Sequence, residues 1–337
     1  MSWKSSTAVI AAAVGCAGLL QACGGGGGGG SVRLAPELIE IVNPSDVPPY
    51  QGPVTELPPD VTRLYALSGN ASSSTVVLFL QGGPVDFLVP EEGLDDLHPV
   101  LTEHTLVRVH QANTLNPSIV ANPDLSYARA IRENEVSVEI LNRVIRHFAA
   151  QGRRVQVVSH SFGSFLVLRA WARHPALATL VDRFLVLNGR LDMPDVVWQG
   201  MRRGEQWGFP DGGEPALAAN QPTRETREGD DNRAPGDPPQ TQTFSLSQLK
   251  LEADIGRLPL TRELAGRSLN RLIMVESTAD RAVGRLSEDE RRFLAAQGAT
   301  RYCIAGGTHD SAFEAPYAQE LAALLDGTST RTRDCAG

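Results

Sequence analysis

The chain has 337 residues, and its 31 Lys and Arg against 39 Asp and Glu leave a formal net charge of −8. With no basic block and no alternation of basic and aromatic residues, this balance argues against a nucleic-acid partner. Arginine carries the positive charge, because Lys4 and Lys250 are the only lysines.

The chain opens with Lys4, then an apolar run from Ala8 to Leu20 that is short for a bilayer span. Leu20-Gln21-Ala22-Cys23 follows and resembles a bacterial lipobox. That resemblance implies a signal peptide over 1–22 and a lipidated Cys23 as the first mature residue. Gly24–Gly30 then serves as a flexible tether, within a leader reaching residue 44. An ordinary secretory signal cut near Ala22 is the alternative. Either way the remainder is exported to the cell envelope, with a lipid anchor as its membrane contact. Gly24, where inner-membrane retention is associated with aspartate, points to the outer membrane.

About three hundred residues remain, enough for one large domain carrying an insertion. Cys16 lies in the removed segment and Cys23 is taken by lipid, which leaves Cys303 and Cys335. In an oxidising compartment these form a possible disulfide that ties the C-terminal tail to the segment around Tyr302; two separate thiols are the alternative.

Residues 31–65 are rich in proline and irregular. Val76–Leu80 is an apolar, β-branched strand delivering the loop Gln81-Gly82-Gly83-Pro84, and Thr105–Val109 is a second strand. Apolar residues four apart from Val136 to Phe148 predict a helix over Asn134–Ala150. Strand Val155–Val158, a helix after Ser161 and strand Phe184–Leu187 continue the alternation. Between Gly189 and Arg267 it breaks: Trp198, Met201, Trp207 and Phe209 suggest a small apolar cluster, and Asp211–Thr243 is crowded with Pro, Gly, Asp and Arg. Strand Arg271–Val275, helix Glu288–Gln297, strand Tyr302–Ala305 and helix Ala312–Leu325 close the chain. Wholly apolar strands alternating with helices predict an α/β fold with a mostly parallel sheet covered on both faces. The expected layout is core over 45–189, a cap insertion over 190–267 and core again over 268–337.

In such sheets chemistry sits on loops at the carboxyl ends of strands. Ser159-His160-Ser161-Phe162-Gly163 turns a strand into a helix with Ser161 at its apex, where a hydroxyl is exposed and the Phe162 N–H begins an oxyanion hole. A serine nucleophile needs a histidine base and an acid to orient it. Asp280 and His309 each follow a strand directly, in the order Ser161, Asp280, His309. Asp192, behind the strand ending at Leu187, is a rival acid. Glu276 reads as a solvated strand end and His160 as a pocket wall or packed residue rather than a second base. His98, His104, His110, His147 and His174 show no metal-ligand spacing, and neither metal nor cofactor is expected.

From about Val54 to Leu325 the chain resembles an α/β-hydrolase-fold serine hydrolase. Gln81-Gly82-Gly83-Pro84 is similar to the His-Gly-Gly-Pro loop of the prolyl iminopeptidase-like and tripeptidyl aminopeptidase-like branch. That resemblance implies oxyanion donors at Gly83 and Phe162. Departures are Ser159 and Gln81 where the branch has glycine and histidine, and His110-Gln111-Ala112-Asn113 where it has an Asp-Gln-Arg-Gly segment. Acidic cap residues able to bind a substrate amino terminus are not legible in the insertion. The expected function is an exported serine hydrolase acting on a small-molecule ester or peptide substrate. An aminopeptidase or iminopeptidase-like enzyme and a catalytically silent surface binding protein are the alternatives.

Overall fold

The computed structural model describes residues 47–90, 94, 96–227 and 243–335. The export segment, Cys23, the tether and residues 228–242 of the insertion lie outside the described residues. Among the described residues there are nine strands: β1 (Tyr65–Gly69), β2 (Thr75–Leu80), β3 (Thr105–Val109), β4 (Arg154–His160), β5 (Val181–Leu187), β6 (Trp207–Gly208), β7 (Ala216–Leu217), β8 (Leu272–Ser277) and β9 (Thr300–Ile304). Seven make one sheet in the order β1-β3-β2-β4-β5-β8-β9. Within that sheet only β1 runs antiparallel, pairing Tyr65 with Val109 and Gly69 with Thr105.

The continuous apolar strands are explained by two cores. Leu78, Val157, Val186 and Met274 face one core with the helices Tyr127–Ala150 and Phe162–Arg173. Their sequence neighbours Val77, Val158, Leu187 and Val275 face the other, with Leu97, Leu101 and the helix Tyr317–Asp326. A side chain alternates faces at every residue of a strand, so both faces must be apolar when both are covered.

Three elements differ from expectation. The strand β1 escapes notice in the sequence because it is a half-exposed edge, with Leu67 53% exposed and a Ser-Gly end. The long helix begins at Tyr127, capped by the Ser126 hydroxyl on Arg129 N–H, rather than at Asn134. Its first turns bury polar groups: Glu133 accepts from Thr55 N–H and Arg129, and Asn134 donates to Leu251 O and Asp254. The last helix starts at Tyr317 rather than Ala312, because a 3-10 turn over Ser311–Phe313 stops before Pro316, whose ring cannot continue a helix.

In the insertion, helices Asp195–Arg203 and Leu246–Gly256 pack Val197, Met201, Phe209, Leu249 and Ala253 into a third cluster. Arg169, from the helix behind Ser161, places one guanidinium nitrogen 2.5 Å from Asp254 of the second of these helices, and both side chains are fully buried. Arg257 adds a bond of 2.7 Å to the same carboxylate. Gln248 donates to Pro84 O at 2.6 Å, linking this helix to the loop after β2. At the other end of the sheet, Cys303 and Cys335 form a disulfide with Cα atoms 5.4 Å apart. Cys303 N–H donates to Arg333 O, so the tail runs along β9. Glu276 is not a solvated strand end: it is 3% exposed, between Arg291 and Arg301.

Candidate active site

Strand β4 ends at His160, and Ser161 caps the following helix with φ 51° and ψ −121°. A non-glycine residue at such a φ costs about 1–3 kcal/mol and persists only where its surroundings over-determine it. Here they do. Ser161 N–H donates to Leu187 O at 3.1 Å, and its carbonyl accepts from Ser164 N–H at 2.8 Å. Gly163 is held so close to β2 that a Cβ there would lie 2.5 Å from the carbonyl oxygens of Leu80 and Gln81. Ser159, fully buried, places its hydroxyl 3.3 Å from that of Ser164, so a small polar side chain fits where glycine is usual. Phe162 opens the helix, and its N–H lies in the first turn, whose backbone donors have no intrahelical partner.

The loop after β2 is shaped by two amides. Gln81 donates to Phe87 O at 2.8 Å and accepts from Val89 N–H at 2.7 Å, closing the loop on itself. Gln111, fully buried, donates to Gln81 O at 2.8 Å. A Cβ on Gly82 would lie 3.2 Å from Ser161 Cβ, so this backbone rests against the elbow. Gly83 has φ 131°, a conformation that favours glycine.

The loops behind β8 and β9 meet. His309 Nδ1 is 2.8 Å from Asp280 Oδ2, while Asp280 Oδ1 accepts from the N–H groups of Ala282 and Val283. Asp280 is 1% exposed, so both oxygens are spent on these partners. Nδ1–H donating to the carboxylate leaves Nε2 as the free base. Burial opposes the charged form of His309, but the charge of Asp280 and its hydrogen bond, with Asp310 and Glu252 further off, raise its pKa above the ordinary value. Asp192 is elsewhere: it accepts from Thr261 N–H at 3.1 Å and from the Thr261 hydroxyl. His160 packs on His309 and Phe313, and burial, reinforced by His309, pushes it down to about 4.

Above Ser161 lies a small cavity of about 20 Å³ lined by Phe162, Phe165, Met193, Met201, Ile255 and Glu252. Its two methionines are flexible side chains that re-pack readily around a guest. Glu252 is the one carboxyl in this lining. Burial pushes it up to about 8, with the nearby His309 acting in the opposite direction. Sequence reading missed Glu252, although Leu249 and Ile255, three residues to either side, are buried and imply the same helix face. Among the described residues, one group has metal-ligating atoms within reach of each other: Glu276, Cys303 and Cys335. The two sulfurs are joined, and Glu276 is engaged by two arginines. Also among the described residues, no helix is long and apolar enough to cross a membrane.

No curated protein matches the chain. Similar solved structures include MGS-M2, an alpha/beta hydrolase enzyme from a Medee basin deep-sea metagenome library, at 16% identity over 80% of this chain and 95% of that one, TM-score 0.47. A lipase-esterase related protein from Clostridium acetobutylicum is 10% identical over 78% and 98%, TM-score 0.49. A Paleococcus ferrophilus monoacylglycerol lipase is 13% identical over 78% and 96%, TM-score 0.46. The profile described as Alpha/beta hydrolase family matches residues 77–324. That stretch takes in the loop after β2, the Ser161 elbow and the loops bearing Asp280 and His309, and the chain belongs to the alpha/beta hydrolase family and has its fold.

Proposed function

We propose that this chain is an exported, lipid-anchored serine hydrolase that cleaves an ester or amide bond through an acyl-enzyme on Ser161. The observation that carries the reading is a serine at the strained apex of a strand–helix turn, with a histidine–carboxylate pair at 2.8 Å on the loops of β8 and β9. In this mechanism His309 Nε2 takes the Ser161 proton as Oγ attacks the substrate carbonyl. The N–H groups of Gly83 and Phe162 receive the oxyanion, and Asp280 holds the imidazolium. The leaving group departs with the proton from His309. Water, deprotonated by the same nitrogen, then attacks the acyl-enzyme, and Ser161 recovers its proton as the acid leaves. The disulfide supports export, since such bonds persist in oxidising compartments. Cys23 is the proposed lipidation site.

The test is a fluorophosphonate probe applied to the soluble chain that starts after Cys23, beside Ser161→Ala and His309→Ala. Labelling of the parent that both substitutions abolish is the expected result. A folded parent that resists the probe would sink the reading and leave a surface binding protein in its place.

A second reading, an aminopeptidase-like enzyme, is favoured by Glu252. A carboxyl that burial keeps protonated, in a mostly apolar cavity beside Ser161, would be drawn into its charged form by a cationic amine on the acyl group and would hold it there. A charge-assisted bond of this kind contributes about 1.5–3 kcal/mol, or roughly ten- to a hundredfold in affinity. Glu252→Gln should then raise KM for alanine and proline anilides while leaving neutral short-chain esters unchanged. Equal effects on both substrate types would leave the esterase reading alone.

A further inference from the structure

The end of β5 touches both halves of the candidate site through two consecutive residues. Leu187 O accepts from Ser161 N–H at 3.1 Å and from the Ser164 hydroxyl at 2.9 Å. Asn188, the next residue, reaches the other way. Its Nδ2 donates to Thr308 O at 3.2 Å and to His309 O, and its Oδ1 accepts from the Ser277 hydroxyl at 3.2 Å. Its own N–H donates to Val275 O at 3.1 Å. A second donor meets the same histidine carbonyl: His160 Nε2, at 3.1 Å. Because a carbonyl only accepts, this His160 nitrogen carries the proton.

Asn188 has φ 47° and is 1% exposed. Ser161 is the only other described non-glycine residue with a positive φ. Left-handed backbone is costly for most side chains and least so for asparagine among the larger ones. The turn at Asn188 ends β5 and sends the side chain towards the loop behind β9. Only an amide fits what it meets there, two carbonyl acceptors on one side and a hydroxyl donor on the other. Aspartate would set a carboxylate against two carbonyls, and glycine would relax the backbone but leave those carbonyls without their donor.

We infer that Asn188, assisted by His160, is a positioning residue that fixes the main chain of His309 in register with Ser161. The inference rests on the serine-hydrolase reading above. Asp280 holds the histidine ring at Nδ1, but that contact lets the ring swing with its backbone. The amide of Asn188 removes this freedom and refers the base to the strand that also anchors the elbow. Misplacing a catalytic group by about 1 Å can cost about a hundredfold in rate.

The experiment compares the parent soluble chain with Asn188→Gly, Asn188→Asp and His160→Gln. Fluorophosphonate labelling rates, kcat and KM on a short-chain ester, and the downfield proton resonance of the His309 Nδ1–H are measured. The expected result is a fall of about ten- to a hundredfold in labelling rate and kcat for both Asn188 variants. KM stays within about twofold, the Nδ1–H resonance broadens, and His160→Gln shows a smaller loss of the same kind. A purely structural role would lower the melting temperature without splitting kcat from KM. Should Asn188→Gly fail to fold, the other two variants decide. A parent that does not label removes the serine-hydrolase reading. A parent that labels, with variants labelling at its rate, overturns the positioning role and leaves that reading standing.

Discussion

His160 and His309 pack with ring centroids 4.7 Å apart and ring planes tilted by 44°, yet their surroundings drive their protonation in opposite directions. Burial and the neighbouring imidazole keep His160 neutral. His309 faces Asp280, Asp310 and Glu252 as well as His160, and the carboxylates outweigh its burial. Of the two rings, His309 is therefore the one suited to take up a proton during turnover.

The rate profile should show this. A base works when unprotonated, so kcat/KM on an ester is expected to rise with pH through a midpoint above 6.5, the ordinary histidine value. In Asp280→Asn the largest attraction is gone while burial remains, so the midpoint of the residual activity should move down. An unmoved midpoint would show that Asp280 does not set the titration.

Stability should respond to His160 separately. Its folded pKa of about 4 lies below the unfolded value of 6.5, so the unfolded chain binds more protons between those two pH values. The contribution is complete above pH 6.5 and is lost as pH falls towards 4, on the order of a few kcal/mol. Unfolding midpoints in urea, measured from pH 4 to 7, should therefore fall less steeply with acid in His160→Gln than in the parent.

The two candidate acids can be told apart by exchange. Asp280→Asn should lower kcat by about ten-thousandfold while the fold persists, because asparagine leaves the imidazole in the wrong tautomer. Asp192→Asn should change kcat by less than about threefold, since Asp192 bonds to Thr261 rather than to His309. Equal losses in ester hydrolysis by the two variants would contradict this assignment.

These contrasts show what a linear reading can reach. The strands β2, β3, β4, β5, β8 and β9 were legible because a sheet covered on both faces demands continuous apolar runs. Ser161, Asp280 and His309 stood out as candidates because each directly follows such a run. The choice between Asp280 and Asp192 was not, since both sit behind strands and only their side-chain partners differ. Asn188 and Glu252 gave no local signal of function, because what defines them is contact with loops and helices far along the chain. Glu276 was misread for the same reason: its partners Arg291 and Arg301 come from a later helix and strand.

The buried pair between Arg169 and Asp254 joins the helix behind Ser161 to the helix that carries Glu252. Asp254 also accepts from Asn134 and Arg257, so its removal takes an acceptor from three donors. Breaking one side of such a pair costs about 3–5 kcal/mol, whereas an apolar replacement of both partners can be neutral. Asp254→Ala should therefore lose that much stability in urea unfolding, and Arg169→Met with Asp254→Leu should lose less, since the buried guanidinium goes with its partner while Asn134 and Arg257 still lose an acceptor. Between residues 246 and 256 the loss should also be local. Hydrogen exchange in that helix should rise in Asp254→Ala before exchange in β4 and β5 does. Uniform acceleration across the sheet would instead mean that the pair supports the whole core, not the seating of the cap helix over Ser161.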